Sequence, residues 1–182
     1  MKNQIEIETP RLLLKSISPE IIHEMFGKKT KAAIIASFGT DEKGYDHLKS
    51  MHEKGIETHR ISLLYFLLHD KDNGTVIGEC GFHSWNKTHE RAELFYNLKD
   101  DTNKRKGLMS EALNEVLDFG FRQMNLHRIE ALTASSNLAS IGLLDKFGFF
   151  KEATVREDYI VDGKHVNSEC YSLLRREWKS SH

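Results

Sequence analysis

The hydrophobic pattern of this chain changes period near residue 100, and this change constrains the fold more than any other feature of the sequence. Three segments before it read as strands joined by short turns, which predicts an antiparallel meander; they are residues 61–69, 75–85 and 91–98. From Gly107 to Met124 the apolar residues recur at helical spacing instead. Further elements are predicted after this helix: a strand at 127–133, a helix at 137–147, and strands at 149–156 and 166–174.

The first third of the chain is less regular. Residues 8–15 are strand-like, and Ser18-Pro19-Glu20 predicts an N-cap with proline at the first helical position, opening a helix to about Phe26. Residues 27–40 are ambiguous, and a second helix is predicted over roughly 41–58. The predicted class is α+β: a mixed sheet with helices on its faces and one strand–helix–strand crossover.

Size and charge limit the function classes. The 182 residues carry no repeat and no linker, so we expect one domain over 1–182. Twenty-six basic and 27 acidic residues give a net charge of −1, which argues against direct nucleic-acid binding. Cys80 and Cys170 show no metal-ligand spacing, which favours a reducing compartment and no metal. No stretch approaches the length of a membrane span, so we expect a cytoplasmic protein.

The loop before the long helix is the candidate binding feature. It contains Lys104-Arg105-Lys106 and ends at Gly107, where the helix N-terminus would present free N–H groups to an anion such as a diphosphate. The sequence has no GxxxxGK[ST] motif and no GxGxxG after a strand, which argues against a P-loop or a Rossmann nucleotide site.

Several motifs share an order and spacing that are more specific together than any one of them alone. They are Thr9-Pro10-Arg11-Leu12-Leu13-Leu14, Val76 to Phe82, Ala92-Glu93-Leu94-Phe95-Tyr96, Asn125 to Ala131, Asn137 to Ser140, Leu144 to Phe149, Asp162-Gly163 and Tyr171 to Trp178. On these motifs the chain resembles the GNAT N-acetyltransferase superfamily over nearly its whole length. Within it, the chain resembles the RimJ/RimL-like branch, which acetylates ribosomal-protein N-termini.

The resemblance implies a fold and a cosubstrate site. The implied fold is a mixed, mostly antiparallel, twisted sheet of about seven strands with helices on both faces, splayed between its fourth and fifth strands to hold acetyl-CoA. The implied acetyl-CoA contacts are Asn97 and Leu98 on the strand, Arg105, Lys106, Gly107, Leu108 and Met109 at the loop and helix start, and Asn137 with Ser140 on the far wall.

Two positions depart from the family pattern. Arg105 stands where the family loop has its first glycine, so its side chain has to point away from the diphosphate. Leu144 stands where many superfamily members carry a tyrosine acid, while RimJ/RimL-like proteins commonly have a nonpolar residue there.

The implied reaction is direct attack of a neutral amine on the thioester in a ternary complex. Glu93 is the candidate base, directly or through water, or else a cross-strand partner of Arg91 or another basic residue. Ser140 matches a position that protonates the leaving thiolate, or else serves helix capping and acetyl-CoA contact alone. His83 could act as a base, although a structural histidine is the simpler interpretation. The sequence therefore does not single out one general base or one general acid.

The acceptor is predicted to be a primary amine, in the first place a protein N-terminus such as that of a ribosomal protein. An α-amine has a pKa near 8, so about a fifth of it is neutral at pH 7.4, and it needs less help from a base than a lysine amine does. The alternatives are a small amine, such as an antibiotic or a polyamine, and a non-catalytic CoA-binding module. The expected assembly is a monomer or homodimer, without membrane attachment.

Overall fold

The computed structural model describes residues 4–179. Within this range eight strands form one sheet: β1 (Glu6–Glu8), β2 (Leu12–Ile17), β3 (Ser62–Asp70), β4 (Val76–Asn86), β5 (Arg91–Leu98), β6 (Arg128–Ala134), β7 (Phe150–Val161) and β8 (Lys164–Leu174). Their order across the sheet is β1-β2-β3-β4-β5-β6-β8-β7. Neighbouring strands are antiparallel except β5 and β6, which are parallel. The predicted α+β class and the meander are confirmed.

The sheet has one strand more than the resemblance implies. The extra strand is the short β1, which pairs with β2 from Glu6↔Lys15 to Glu8↔Leu13 and extends the sheet at its edge. The sequence predicts one strand over 8–15, because a three-residue strand is too short to show an alternating pattern.

The helices are α1 (Pro19–Lys28), α2 (Lys31–Phe38), α3 (Glu42–Lys54), α4 (Leu108–Arg122) and α5 (Leu138–Lys146), with a single 3-10 turn at Asp101–Asn103. Ser18 caps α1 by accepting a hydrogen bond from the Ile21 N–H, as its sequence predicts. The ambiguous segment 27–40 contains α2. Thr30 caps the start of this helix and Gly39, at φ 55°, ends it in the left-handed conformation.

Two hydrophobic cores cover the two faces of the sheet. On β3, Phe66 and Leu68 pack into the core that holds the apolar stripe of α4, whereas Tyr65 and Leu67 pack into the core of α1, α2 and α3. This alternation follows the period of two that a strand imposes. Helices on both faces are therefore confirmed, and each face of the central strands has its own partner.

Several features bear on function classes directly. Cys80 and Cys170 are free thiols. No helix within residues 4–179 combines the length and the apolar character needed to cross a membrane. Among the same residues, no three or more His, Cys, Asp and Glu side chains gather in a group that could hold a metal ion.

Candidate active site

The sheet opens between β5 and β6. These strands pair in parallel from Arg91↔Arg128 to Glu93↔Glu130, and their pairing ends there, well before β5 reaches Leu98. On its other side β5 stays paired with β4 as far as Gly78↔Leu98. The second half of β5 therefore offers a backbone edge to whatever occupies the gap, as the implied splay requires.

Two recesses lie along this gap. The larger one, which we call the groove, has a volume of about 730 Å³ and runs from β5 past the loop at 101–107 to the start of α4. The smaller one, the cavity, has a volume of about 310 Å³ and is lined from β4, β5, β6 and β7. Tyr96, Asn137 and Ser140 line both recesses, so the two meet at these three side chains.

The start of α4 lines the groove with backbone. Gly107 is the N-cap at φ 79°, and no side chain caps the helix there. The first N–H groups of a helix lack intrahelical partners, and the positive end of the helix dipole adds to their attraction for an anion. The groove is thus suited to a long ligand that carries a diphosphate at this end.

Most of the residues that the resemblance implies for acetyl-CoA come together in the groove. They are Asn97, Leu98, Arg105, Gly107, Leu108, Met109, Asn137 and Ser140. Lys106 does not line it. Its carbonyl oxygen instead accepts a hydrogen bond from Arg11 Nη1 at 2.9 Å, and the side chain of Lys106 is exposed.

Arg105 stands where the resemblance implies a glycine, and its backbone has a conformation that glycine adopts without strain. Its φ is 59°, in the left-handed region that is unfavourable for a residue with a Cβ atom. Arg105 therefore adopts a glycine-like conformation at a local energetic cost.

The far wall of the junction is the first turn of α5. Asn137 caps this helix by accepting a hydrogen bond from the Ser140 N–H at 3.1 Å. The hydroxyl of Ser140 takes no part in that cap and accepts a hydrogen bond from Tyr96 Oη at 3.0 Å. Burial raises the pKa of Tyr96, against the opposing effect of the Ser140 contact, so the phenol keeps its proton at neutral pH.

Glu93 lines the cavity at the point where the pairing of β5 and β6 ends. Its Oε1 lies 3.8 Å from His83 Nε2, and the His83 ring stacks on Phe95 with centroids 5.4 Å apart. Burial raises the pKa of Glu93, His83 opposes this, and Glu130 and Asp158 add to the increase. A carboxylate whose pKa is raised toward neutrality is a better proton acceptor than an exposed one.

Two further acids near the cavity, Glu130 and Glu152, are held by arginines. Glu130 accepts hydrogen bonds from Arg91 at 3.2 Å and from Arg128 at 2.9 Å. Arg128 also binds both carboxylate oxygens of Glu152, at 2.7 and 2.6 Å. Arg91 thus pairs with Glu130 across the β5–β6 contact, whereas the basic residue opposite Glu93, across the β4–β5 pairing, is His83.

Sequence reasoning missed Tyr96 as a candidate functional group. The residue stands in a quoted motif, but its contact with Ser140 spans 44 positions and depends on how α5 packs against β5. Strand alternation does place Tyr96 on the opposite face from Glu93. That signal could have marked Tyr96 as facing α5. Leu144, where many superfamily members carry a tyrosine acid, is buried in the core, whereas its neighbour Leu143 lines the groove.

The split sheet, the free helix N-terminus at the groove and the small polar cavity at its end define a class. They fit an acyltransferase whose donor is a thioester on a long, phosphate-bearing carrier. The profile of the family described as "Acetyltransferase (GNAT) domain" matches residues 11–150. The chain belongs to this family, and it is an acetyl-CoA-dependent N-acetyltransferase.

Individual relatives agree with this assignment. The chain is 32% identical over 151 residues to "Uncharacterized N-acetyltransferase p20" of Bacillus licheniformis, covering 82% of each chain. It is 28% identical to "[Ribosomal protein uS5]-alanine N-acetyltransferase" of Escherichia coli over 72% of this chain and 64% of that one. Among solved structures, spermidine N-acetyltransferase from Vibrio cholerae in complex with CoA and spermine superposes with a TM-score of 0.69 at 21% identity, covering 93% of this chain and 98% of that one.

Proposed function

We propose that this protein acetylates the N-terminal α-amine of a protein, such as a ribosomal protein, as the RimJ/RimL-like branch does. The observation that carries the choice of acceptor is the charge of the cavity. Among its lining residues Glu93 is the carboxylate, and the neighbouring Glu130 is neutralised by two arginines. A polycation such as spermidine calls for several unpaired acids, whereas a single α-ammonium group calls for one.

The proposed site of acetyl-CoA is the groove. The backbone of Asn97 and Leu98 would pair with the pantetheine amides along the open edge of β5, and the N–H groups from Arg105 to Met109 would hold the diphosphate. Asn137 and Ser140 would close the far wall. This placement sets the acetyl group at the junction of groove and cavity, where the acceptor amine enters from the opposite side.

Residues at the junction would handle the protons. Glu93 would accept a proton from the incoming ammonium group, directly or through a water molecule, and leave a neutral nucleophile. Ser140 would give its proton to the departing sulfur and take one from Tyr96 along their 3.0 Å hydrogen bond. The second proton, which the nitrogen loses as the tetrahedral intermediate collapses to the amide, would return to the Tyr96 phenolate through water. The raised pKa of Glu93 suits the first task, and the hydrogen bond between Tyr96 and Ser140 provides the path for the second.

The two free thiols agree with work in the reducing environment of the cytoplasm. The same site would also accept a small monoamine, so the class of acceptor needs a direct comparison.

Acceptor panels test the proposal. Release of free CoA is measured with three substrates: a short peptide with a free alanine N-terminus, the same peptide with a blocked N-terminus and a lysine side chain, and spermidine. We expect kcat/KM for the free α-amine to exceed that for spermidine by about tenfold or more, and the blocked peptide to be inert. A preference for spermidine would assign the protein to polyamines. Binding of acetyl-CoA without turnover on a broad amine panel would mean a binding module.

A further inference from the structure

The segment before β2 is hydrogen-bonded to the first turn of α4. Glu111, in the first turn of α4, accepts hydrogen bonds at Oε1 from Thr9 Oγ1 at 2.5 Å and from the Arg11 N–H at 2.8 Å. Its Oε2 accepts from Arg11 Nε and Nη2, both at 2.7 Å. Although burial opposes it, these bonds hold the pKa of Glu111 below its usual value, so the contact is an ion pair at neutral pH.

The same guanidinium reaches the loop. Arg11 Nη1 donates to the Lys106 carbonyl at 2.9 Å. Residues 4–179 contain no cis peptide bond, so the N–H of Gly107 points in the opposite direction from that carbonyl, away from Arg11. Fixing one carbonyl on the outside of the loop thus fixes the direction of the amide at the helix N-cap.

The loop has reason to need such a support. Arg105 holds a left-handed conformation two residues earlier, which a residue with a Cβ atom keeps only when its surroundings determine it. Gly107 is left-handed as well, at φ 79°. Arg11 bonds the carbonyl between these two positions.

We propose that Arg11 is a positioning residue for the diphosphate end of acetyl-CoA: it fixes the loop from outside, so that the backbone amides at Gly107 and beyond are directed at the ligand before it binds. This inference rests on the proposed acetyl-CoA site. The pairing of Arg11 with Glu111 has a second effect, because it neutralises a carboxylate at the helix end where the ligand's negative charge would lie.

Two variants separate these effects. Arg11→Met removes the carbonyl contact and leaves Glu111 unpaired, whereas the double variant Arg11→Met/Glu111→Gln removes the contact and the unpaired charge together. The control is Lys71→Met, since Lys71 binds Glu8 and the Thr9 carbonyl of the same segment and makes no contact with the loop. Arg11 is half exposed, so we expect all variants to fold, which circular dichroism would verify. Arg11→Lys keeps a charge beside Glu111 without the forked geometry and serves as a milder second variant.

Calorimetry with acetyl-CoA gives the result. We expect the double variant to bind about tenfold more weakly than the wild type, and Arg11→Met to bind more weakly still because the charge of Glu111 is then unpaired. Arg11→Lys should fall between the double variant and the wild type, and Lys71→Met should match the wild type. In turnover, the loss should appear in KM for acetyl-CoA and not in kcat. Without ligand, amide hydrogen exchange at residues 105–109 should be faster in Arg11→Met.

Three outcomes would overturn the inference. Wild-type affinity in Arg11→Met would show that the loop needs no outside support. Recovery of affinity in the double variant would show that the effect of Arg11 is only to neutralise Glu111. A wild type that binds no acetyl-CoA would remove the proposed site itself, and this inference with it, while the hydrogen-exchange difference would still report on the loop.

Discussion

The groove and the cavity are built by opposite means. The groove is formed largely by one continuous stretch, from Tyr96 to Ser110, and presents backbone amides from a strand edge and a helix end. The cavity is lined by residues of four strands and of the first turn of α5, and its polar side chains come from separate elements, among them His83, Glu93 and Tyr159. Backbone recognition tolerates changes of side chain, whereas a cavity of side chains is changed by each substitution. The groove should therefore respond to changes of conformation and the cavity to changes of chemistry.

The largest effect is expected at the groove, from Gly107→Glu. This variant adds a side chain at φ 79°, and its Cβ would lie 3.6 Å from Arg11 Nη2, so it strains the loop whose amides would hold the diphosphate and offers Arg11 a competing carboxylate. Binding of acetyl-CoA, measured by calorimetry, should weaken by more than about 100-fold. Gly74→Glu is the matched control, since Gly74 also has a left-handed φ, 72°, and open space around it in the β3–β4 turn. Equal affinity in both variants would remove the loop from the site.

Next in size is Glu93→Gln, which changes the chemistry of the cavity and leaves its shape. We expect kcat to fall by about 100-fold, with little change in the Kd for acetyl-CoA. The wild-type rate should decline as pH falls through the raised pKa of Glu93, and this acid limb should be absent from the variant. A variant with wild-type kcat would exclude Glu93 as the base.

The same variant has a consequence for stability. The folded pKa of Glu93 lies above its unfolded value, so the folded state holds this proton more tightly. The contribution of Glu93 to stability is therefore fully present below the unfolded pKa and is lost as pH rises through the folded pKa. Glu93→Gln should thus be more stable than the wild type at pH 7.5, and the difference should shrink toward pH 4.5. Thermal unfolding at several pH values measures it. A difference that is independent of pH would point to packing instead of charge.

A smaller effect is expected at the junction. Tyr96→Phe and Ser140→Ala each remove one half of a single hydrogen bond, so each should lower kcat by about tenfold and the double variant should lose little more. The Asn137 cap binds the backbone N–H of Ser140 and survives both changes. Additive losses in this double-mutant cycle would show that the two hydroxyls act separately.

The smallest effect tests the idea of backbone recognition. Arg105→Gly should stabilise the protein by about 1 kcal/mol, or about 2–4 °C in Tm, because glycine adopts φ 59° without strain. Affinity for acetyl-CoA should stay within about threefold, since one surface charge is lost and no amide is moved. A much larger loss would mean that the Arg105 side chain itself binds the ligand.

The same contrast explains what could be predicted from the sequence. Most of the residues that line the groove are ones that the family resemblance implies, and the strand, the basic loop and Gly107 that form part of it follow one another along the chain. Of the residues that line the cavity, the sequence analysis names Glu93, His83, Asn137 and Ser140, but it does not give the contacts between them and their neighbours. The pairing of Arg91 with Glu130 and of Tyr96 with Ser140 depends on strand register and helix packing, which no local pattern records.

The fold shows a similar division. The helix at 107–124 was predicted from a clear apolar stripe, and its core residues are buried as expected. The helix α2 was not predicted, because its run from Ala32 to Ala36 is apolar on every side and gives no amphipathic period. Its capping residues, Thr30 and Gly39, were the signals that remained.

The gap between β5 and β6 means that the sheet is unfinished. Where the two strands part, the backbone of β5 has lost the neighbour that a continuous sheet would supply, and in the proposed complex the pantetheine takes the place of that neighbour. Ligand binding then completes a secondary structure as well as filling a site. The melting temperature of this protein should accordingly rise with the concentration of acetyl-CoA. In each catalytic cycle the hydrogen bonds between β5 and the pantetheine would form when acetyl-CoA binds and break when CoA leaves.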